Sequence, residues 1–162
     1  MDGNLVWPAA KAATHPTMLL LLAGTGGSPF NAQLFGALAA RLGYHVIALD
    51  YPNDLAVVQA CASDTAPDCM ANMREEIITG HALSPHVDVD SANSIDGRLI
   101  GVLQDLATQY PSEGWDAFVS SGAPRWSAIA VGGLSQGGGH AAYIAKLRLV
   151  PRVLMFGAPA DN

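Results

Sequence analysis

The chain has 162 residues, half of them hydrophobic and 14% charged, with a formal net charge of −6. This is enough apolar material for one core, and the length suits a single domain over 1–162. No basic stripe is present to displace counterions from a phosphate backbone, which argues against a nucleic-acid partner. The longest apolar run, residues 18–23, is far short of the ~20 residues a membrane-spanning helix needs.

Leu5, Val6 and Trp7 before Pro8 read as a short edge strand that proline ends. Residues 17–23 are apolar on both faces, as a central parallel strand must be when helices cover both sides. Gly24-Thr25-Gly26-Gly27-Ser28-Pro29 turns out of that strand. Ser28 or Asn31 caps a helix carried by Leu34, Phe35, Leu38 and Leu42, and Gly43 ends it. Residues 44–50 form a second parallel strand, joined to the first by a right-handed crossover.

Residues 54–93 read as an irregular insertion over the C-terminal edge of the sheet, with a short helix near 70–79. Cys61 and Cys69, the only cysteines, flank a polar loop there. A disulfide between them is expected, which implies an oxidising, secreted or periplasmic setting. Unpaired thiols would instead suit the cytoplasm. Residues 1–4 show neither the positive nor the apolar part of a secretory signal, so a secreted chain would have to begin inside a longer precursor. The stretch 88–96 has acids and amides at loop spacing, but no central glycine and no terminal glutamate. It fits helix capping better than calcium.

Ile95, Leu99, Val102, Leu103, Leu106 and Tyr110 share one face of an amphipathic helix. Residues 111–127 read as a loop; its Trp115 and Trp126, with Tyr51 and Phe30, are expected to pack, with the lining of an acyl pocket as the alternative. Residues 152–157 are the last strand, an exposed apolar edge suited to pairing in a homodimer.

The most informative stretch lies between these two. An apolar run from Ala128 ends in Gly133-Leu134-Ser135-Gln136-Gly137, and a helix of small residues follows through Gly138, Gly139, His140 and Ala141. Strand, sharp turn and helix are the parts of a nucleophile elbow. The residues two before and two after the nucleophile must be small, and both are glycine. This stretch resembles the elbow of the α/β-hydrolase superfamily, and most closely that of bacterial secreted hydrolases with a Ser-Gln-Gly-Gly-Gly-His-Ala elbow. The resemblance runs from about Leu19 onward and implies a shortened hydrolase core. The expected fold is a three-layer α/β sandwich with a mostly parallel sheet of four or five strands.

The resemblance also implies roles. Ser135 is the candidate nucleophile, and the backbone N–H of Gln136 a donor to the oxyanion. Amides near Thr25 and Gly26 are expected to supply the second donor. The same glycine-rich loop lacks the lysine a phosphate-binding loop requires. Asp161, after the last strand, is the candidate acid, with a structural capping role as the alternative.

The base is not evident, because no histidine follows His140. His140 lies more than a helical turn past Ser135 and is expected to pack or to make a supporting hydrogen bond. His81 or His86, from the insertion, is the candidate base, with plain surface histidines as the alternative reading. The expected activity is hydrolysis of carboxylic esters, lactones or short acyl esters, without a cofactor or metal. Two alternatives stand beside it: a degenerate hydrolase domain that binds acyl ligands with little turnover, and a flavodoxin-like ligand-binding domain.

Overall fold

The computed structural model of the chain describes residues 3–10 and 15–158. Its strands are β1 (Leu5–Trp7), β2 (Met18–Leu22), β3 (Val46–Leu49), β4 (Val119–Ser120), β5 (Ala123–Pro124), β6 (Ile129–Leu134) and β7 (Val153–Phe156). Its helices are α1 (Gln33–Arg41), α2 (Val57–Ala60), α3 (Cys69–Thr79), α4 (Ile95–Gln109) and α5 (Gln136–Leu147).

Five strands form one sheet in the order β1-β3-β2-β6-β7. Only β1 runs antiparallel, against β3. The other pairings are parallel. β2 lies at the centre and is buried along its whole length. Its alternate side chains build two cores, because successive residues of a strand point to opposite faces. Met18, Leu20 and Leu22 join Ile77 of α3, Leu99 and Leu103 of α4 and Ile144 of α5. Leu19 and Leu21 join Ala39 and Ala40 of α1. The result is a mixed α/β layering around a mostly parallel five-stranded sheet.

Two stretches are more ordered than their sequence suggests. The expected loop at 111–127 contains a turn of 3-10 helix at Trp115–Phe118, another at Trp126–Ala128, and the β4–β5 hairpin between them. Ser121 and Gly122, both at positive φ (51° and 76°), make its two-residue turn, the backbone that short hairpins require. Trp115 is fully buried, edge-on to His45, and Trp126 is also buried, so both aromatics pack. The strand expected at 44–50 is shorter, Val46–Leu49, with Tyr44 stacked on His15 and the His45 ring at the Glu113 carbonyl.

The segment 54–93 also does more than overlie the sheet. Val57, Met73, Ile77, Ile78 and Val89 belong to the larger core, since α3 has its own apolar stripe. Glu76, on the same helix, is buried and anchors the chain that follows. Its carboxylate accepts the N–H groups of Leu83 (2.7 Å), Ser84 (2.8 Å) and Val89 (3.2 Å). Burial pushes its pKa up, but these three donors outweigh burial and hold the carboxyl below its usual value. A disulfide joins Cys61 at the end of α2 to Cys69 at the start of α3. By loop entropy, closing so short a loop contributes about 2–3 kcal/mol.

The α1 face remains apolar and open. Leu34 is 86% exposed, and Phe30, Leu38, Leu42 and Phe156 are also exposed. Beside them an apolar groove of about 330 Å³ runs between α1 and the ends of β6 and β7. Among the described residues, no helix is long and apolar enough to cross a membrane.

Glu76→Ala leaves three N–H groups without their acceptor. It is expected to destabilise the fold by roughly 3 kcal/mol or more, read as a lower urea midpoint at neutral pH.

Candidate active site

Ser135 stands alone between the last residue of β6 and the first of α5. Its backbone has φ 52° and ψ −120°, a region costly for any residue with a side chain. The surroundings impose it. Ser135 N–H donates to Phe156 O of β7 (2.8 Å), and Ser135 O accepts from Gly139 N–H (3.1 Å). A Cβ on Gly133 would lie 2.2 Å from the Gly137 carbonyl, and one on Gly137 would lie 2.3 Å from Leu22 O. The strand and helix therefore cross at backbone contact, and only glycine fits at either position. The Ser135 side chain is exposed and caps no helix N–H.

The Gly24–Gly27 loop lies against this turn, since a Cβ on Gly24 would be 3.3 Å from Ser135 Cβ. Asn53 clamps the loop. Its Nδ2 donates to Gly24 O (2.8 Å) and Gly27 O (2.9 Å), and its own O accepts from Gly26 N–H (2.9 Å). Of the two loop residues expected to face an oxyanion, Gly26 thus has its amide committed to Asn53. Thr25 N–H takes no backbone partner among the described residues and is exposed at the loop tip. The N–H groups of Gln136, Gly137 and Gly138 also lack intrahelical partners, because the first bond of α5 is made by Gly139.

Behind the turn lies a buried polar layer. The Gln136 side chain accepts Val57 N–H (2.8 Å) and donates to Leu55 O (3.2 Å), tying α5 to the start of the insertion. Tyr51 OH donates to Ala23 O at the end of β2. Burial raises its phenol well above the ordinary value, while Arg74 and Asn53 pull against that. Arg74 is itself buried. It meets the first turn of α5, reaching Gln136 O at 3.5 Å and packing so close that a Cβ on Gly139 would lie 2.6 Å from its guanidinium. Positive charge therefore gathers under Ser135 from the helix N-terminus and Arg74 together.

The histidines lie elsewhere. His86 Nε2 is 2.7 Å from Asp64 Oδ2. His81 is exposed. His45 pairs with Glu113 O (2.7 Å) and His15 stacks on Tyr44. His140 is fully buried, edge-on to Tyr51, with neither ring nitrogen hydrogen-bonded. It packs, as its place in α5 implies. Asp161 lies outside the described residues. The 88–96 stretch caps α4: Ser94 Oγ accepts Gly97 N–H (3.1 Å), and Asp90 Oδ1 accepts Asn93 N–H (2.8 Å).

Asn53 and Arg74 are the residues that sequence reasoning misses here. Arg74 left a trace, for it falls on the stripe of Met70, Met73, Ile77 and Ile78 where an apolar residue is expected. Asn53 left none beyond its place after β3. Comparison of the chain with protein-family models, curated proteins and solved structures gives no match.

Burial, and then the charge of Arg74, depress the His140 pKa from 6.5 to about 3. A depressed value means that the folded state resists a proton which the unfolded chain accepts. Stability is complete above the unfolded value and declines as pH falls toward the folded one, by up to about 1.4 kcal/mol per pH unit from this residue. His140→Leu removes that sensitivity. Urea midpoints followed downward from about pH 7 should decline less steeply in the variant than in the wild type.

Proposed function

We propose that the chain is a serine hydrolase domain acting on carboxylic esters, with lactones and short acyl esters as the substrate range. One observation carries the reading: Ser135 is held at positive φ between two glycines at backbone contact, with the Gly24–Gly27 loop against its Cβ. A strained backbone that exposes one hydroxyl beside a row of free N–H groups suits attack on a carbonyl.

In this proposal Ser135 Oγ adds to the carbonyl carbon and gives its proton to a base. The N–H groups of Gln136 and Thr25 stabilise the oxyanion, with the positive end of α5 and Arg74 behind them. Collapse of the tetrahedral species expels the alcohol and leaves an acyl-enzyme, which water hydrolyses. Asp161 is the proposed acid, and His81 or His86 the proposed base. The apolar groove beside Leu134 suits a short acyl chain. The disulfide fits a secreted or periplasmic protein.

A second reading is favoured by a specific observation. His15, His45 and His86 are each engaged by another group, and His140 is buried with neither ring nitrogen hydrogen-bonded. A domain that acylates Ser135, or binds acyl ligands, without rapid turnover accounts for this.

The test uses p-nitrophenyl butyrate and a fluorophosphonate probe. Wild type is expected to label and to release p-nitrophenol, and Ser135→Ala to do neither. Equal hydrolysis by both proteins would sink the role of Ser135. A stoichiometric burst without steady turnover would select the second reading. Asn53→Ala lets the loop drift and is expected to lower kcat by up to roughly 100-fold, with little change in KM.

A further inference from the structure

A second cluster of reactive side chains lies where α2 passes to α3. Cys61 closes α2 and Cys69 opens α3. His86 returns to them on the segment that Glu76 anchors through Leu83, Ser84 and Val89. One ligand atom from each of Cys61, Cys69 and His86 lies within 4.8 Å of the other two. The cysteines are buried, while the His86 side chain is 26% exposed. The group is enclosed on the sulfur side and reachable from solvent on the imidazole side.

The imidazole is already oriented. His86 Nε2 is 2.7 Å from Asp64 Oδ2. An ionised carboxylate only accepts, so Nε2 carries a proton here, and in the neutral ring Nδ1 is the nitrogen left to bind. Asp64 is held in turn, its Oδ1 accepting Ala66 N–H (2.8 Å) and its N–H donating to Cys61 O (3.1 Å). A carboxylate that receives one ring N–H while the other nitrogen binds is the usual support of a metal-ligating histidine. Tetrahedral zinc with sulfur ligands at about 2.3 Å and nitrogen at about 2.0 Å keeps its ligands roughly 3.5 Å apart. Three donors within 4.8 Å meet that spacing with side-chain adjustment alone.

The geometry points to a redox-gated metal site: reduction of the Cys61–Cys69 disulfide creates a two-thiolate, one-imidazole site for a divalent cation of the zinc class. With the disulfide closed, the sulfurs carry no charge and bind no cation. Two equivalents of a small thiol supply two electrons and two protons to the disulfide, giving two cysteine thiols and the reductant's own disulfide. The cation then displaces both thiol protons to solvent, and water fills the fourth position on the exposed side. Metal binding would replace the covalent link between α2 and α3 with a coordinate one. His86 is also one of the two bases proposed for Ser135, but the test below reads metal uptake, which does not involve Ser135, so the two readings fail separately.

The test is Co2+ titration of the full chain, reduced with a phosphine and desalted under argon, with far-ultraviolet circular dichroism to follow the fold. Reduced wild type is expected to bind one Co2+ per chain, with a sulfur-to-cobalt band in the near ultraviolet and the visible bands of a tetrahedral ion. Zn2+ should displace it. The oxidised protein and the Cys61→Ser, Cys69→Ser double variant should show neither band. Asp64→Asn should weaken binding by roughly 10- to 100-fold, and His86→Ala, which removes a ligand, by more. Absence of stoichiometric uptake by reduced wild type overturns the inference. So does an affinity and spectrum unchanged by His86→Ala, which would reduce the site to two thiols, or a reduced chain that unfolds and is not restored by Zn2+.

Discussion

The first turn of α5 sits directly on the end of β2, and most of what is distinctive in this chain depends on that contact. Gly137 rests against the carbonyls of Leu22 and Ala23, and Gly133 rests against Gly137. No side chain fits between them, so helix and strand approach to backbone distance. The one residue left between β6 and α5 must reverse direction within a single step. That residue is Ser135, and the reversal drives it to positive φ. The same closeness brings the Gly24 loop against Ser135, because that loop is simply where β2 goes next.

Keeping such a turn in place requires polar groups in the interior, and each has a defined task. Tyr51 fixes the end of β2, Asn53 fixes the loop that leaves it, and Gln136 fixes the start of the insertion to α5. Arg74 brings a buried cation to the same helix end. Buried polar groups cost free energy unless their bonds are made. The satisfied members of this layer therefore specify geometry. His140 departs from that pattern by staying neutral and unbonded.

The insertion is a structural unit held by two different means. Its helix α3 contributes to the core, while a disulfide at one end and the Glu76 carboxylate at the other fix the segments that flank it. The Asp64–His86 pair lies beside that disulfide. Cys69 opens α3, the same helix whose Arg74 reaches Gln136 O beside the elbow.

How much of this is legible in the residues follows from range. The central strand, the amphipathic helix from Ile95, the capping by Ser94 and the elbow glycines are local patterns, and each appears where its period or turn chemistry places it. The disulfide was legible because only two cysteines exist and one polar loop separates them. The hairpin at Ser121-Gly122 and the core role of the insertion were not, since a two-residue strand carries no period and burial depends on distant partners. Site chemistry divides the same way. Ser135 and its glycines announce themselves over five residues. The commitment of Gly26 to Asn53, the cation under α5 and the engagement of His86 by Asp64 join residues 22 to 62 positions apart. Sequence alone determined that a serine would stand on a strained turn between a buried strand and a helix. Only the tertiary structure decided which amides, charges and imidazoles surround it, because those contacts are set by how the sheet brings distant loops to one edge.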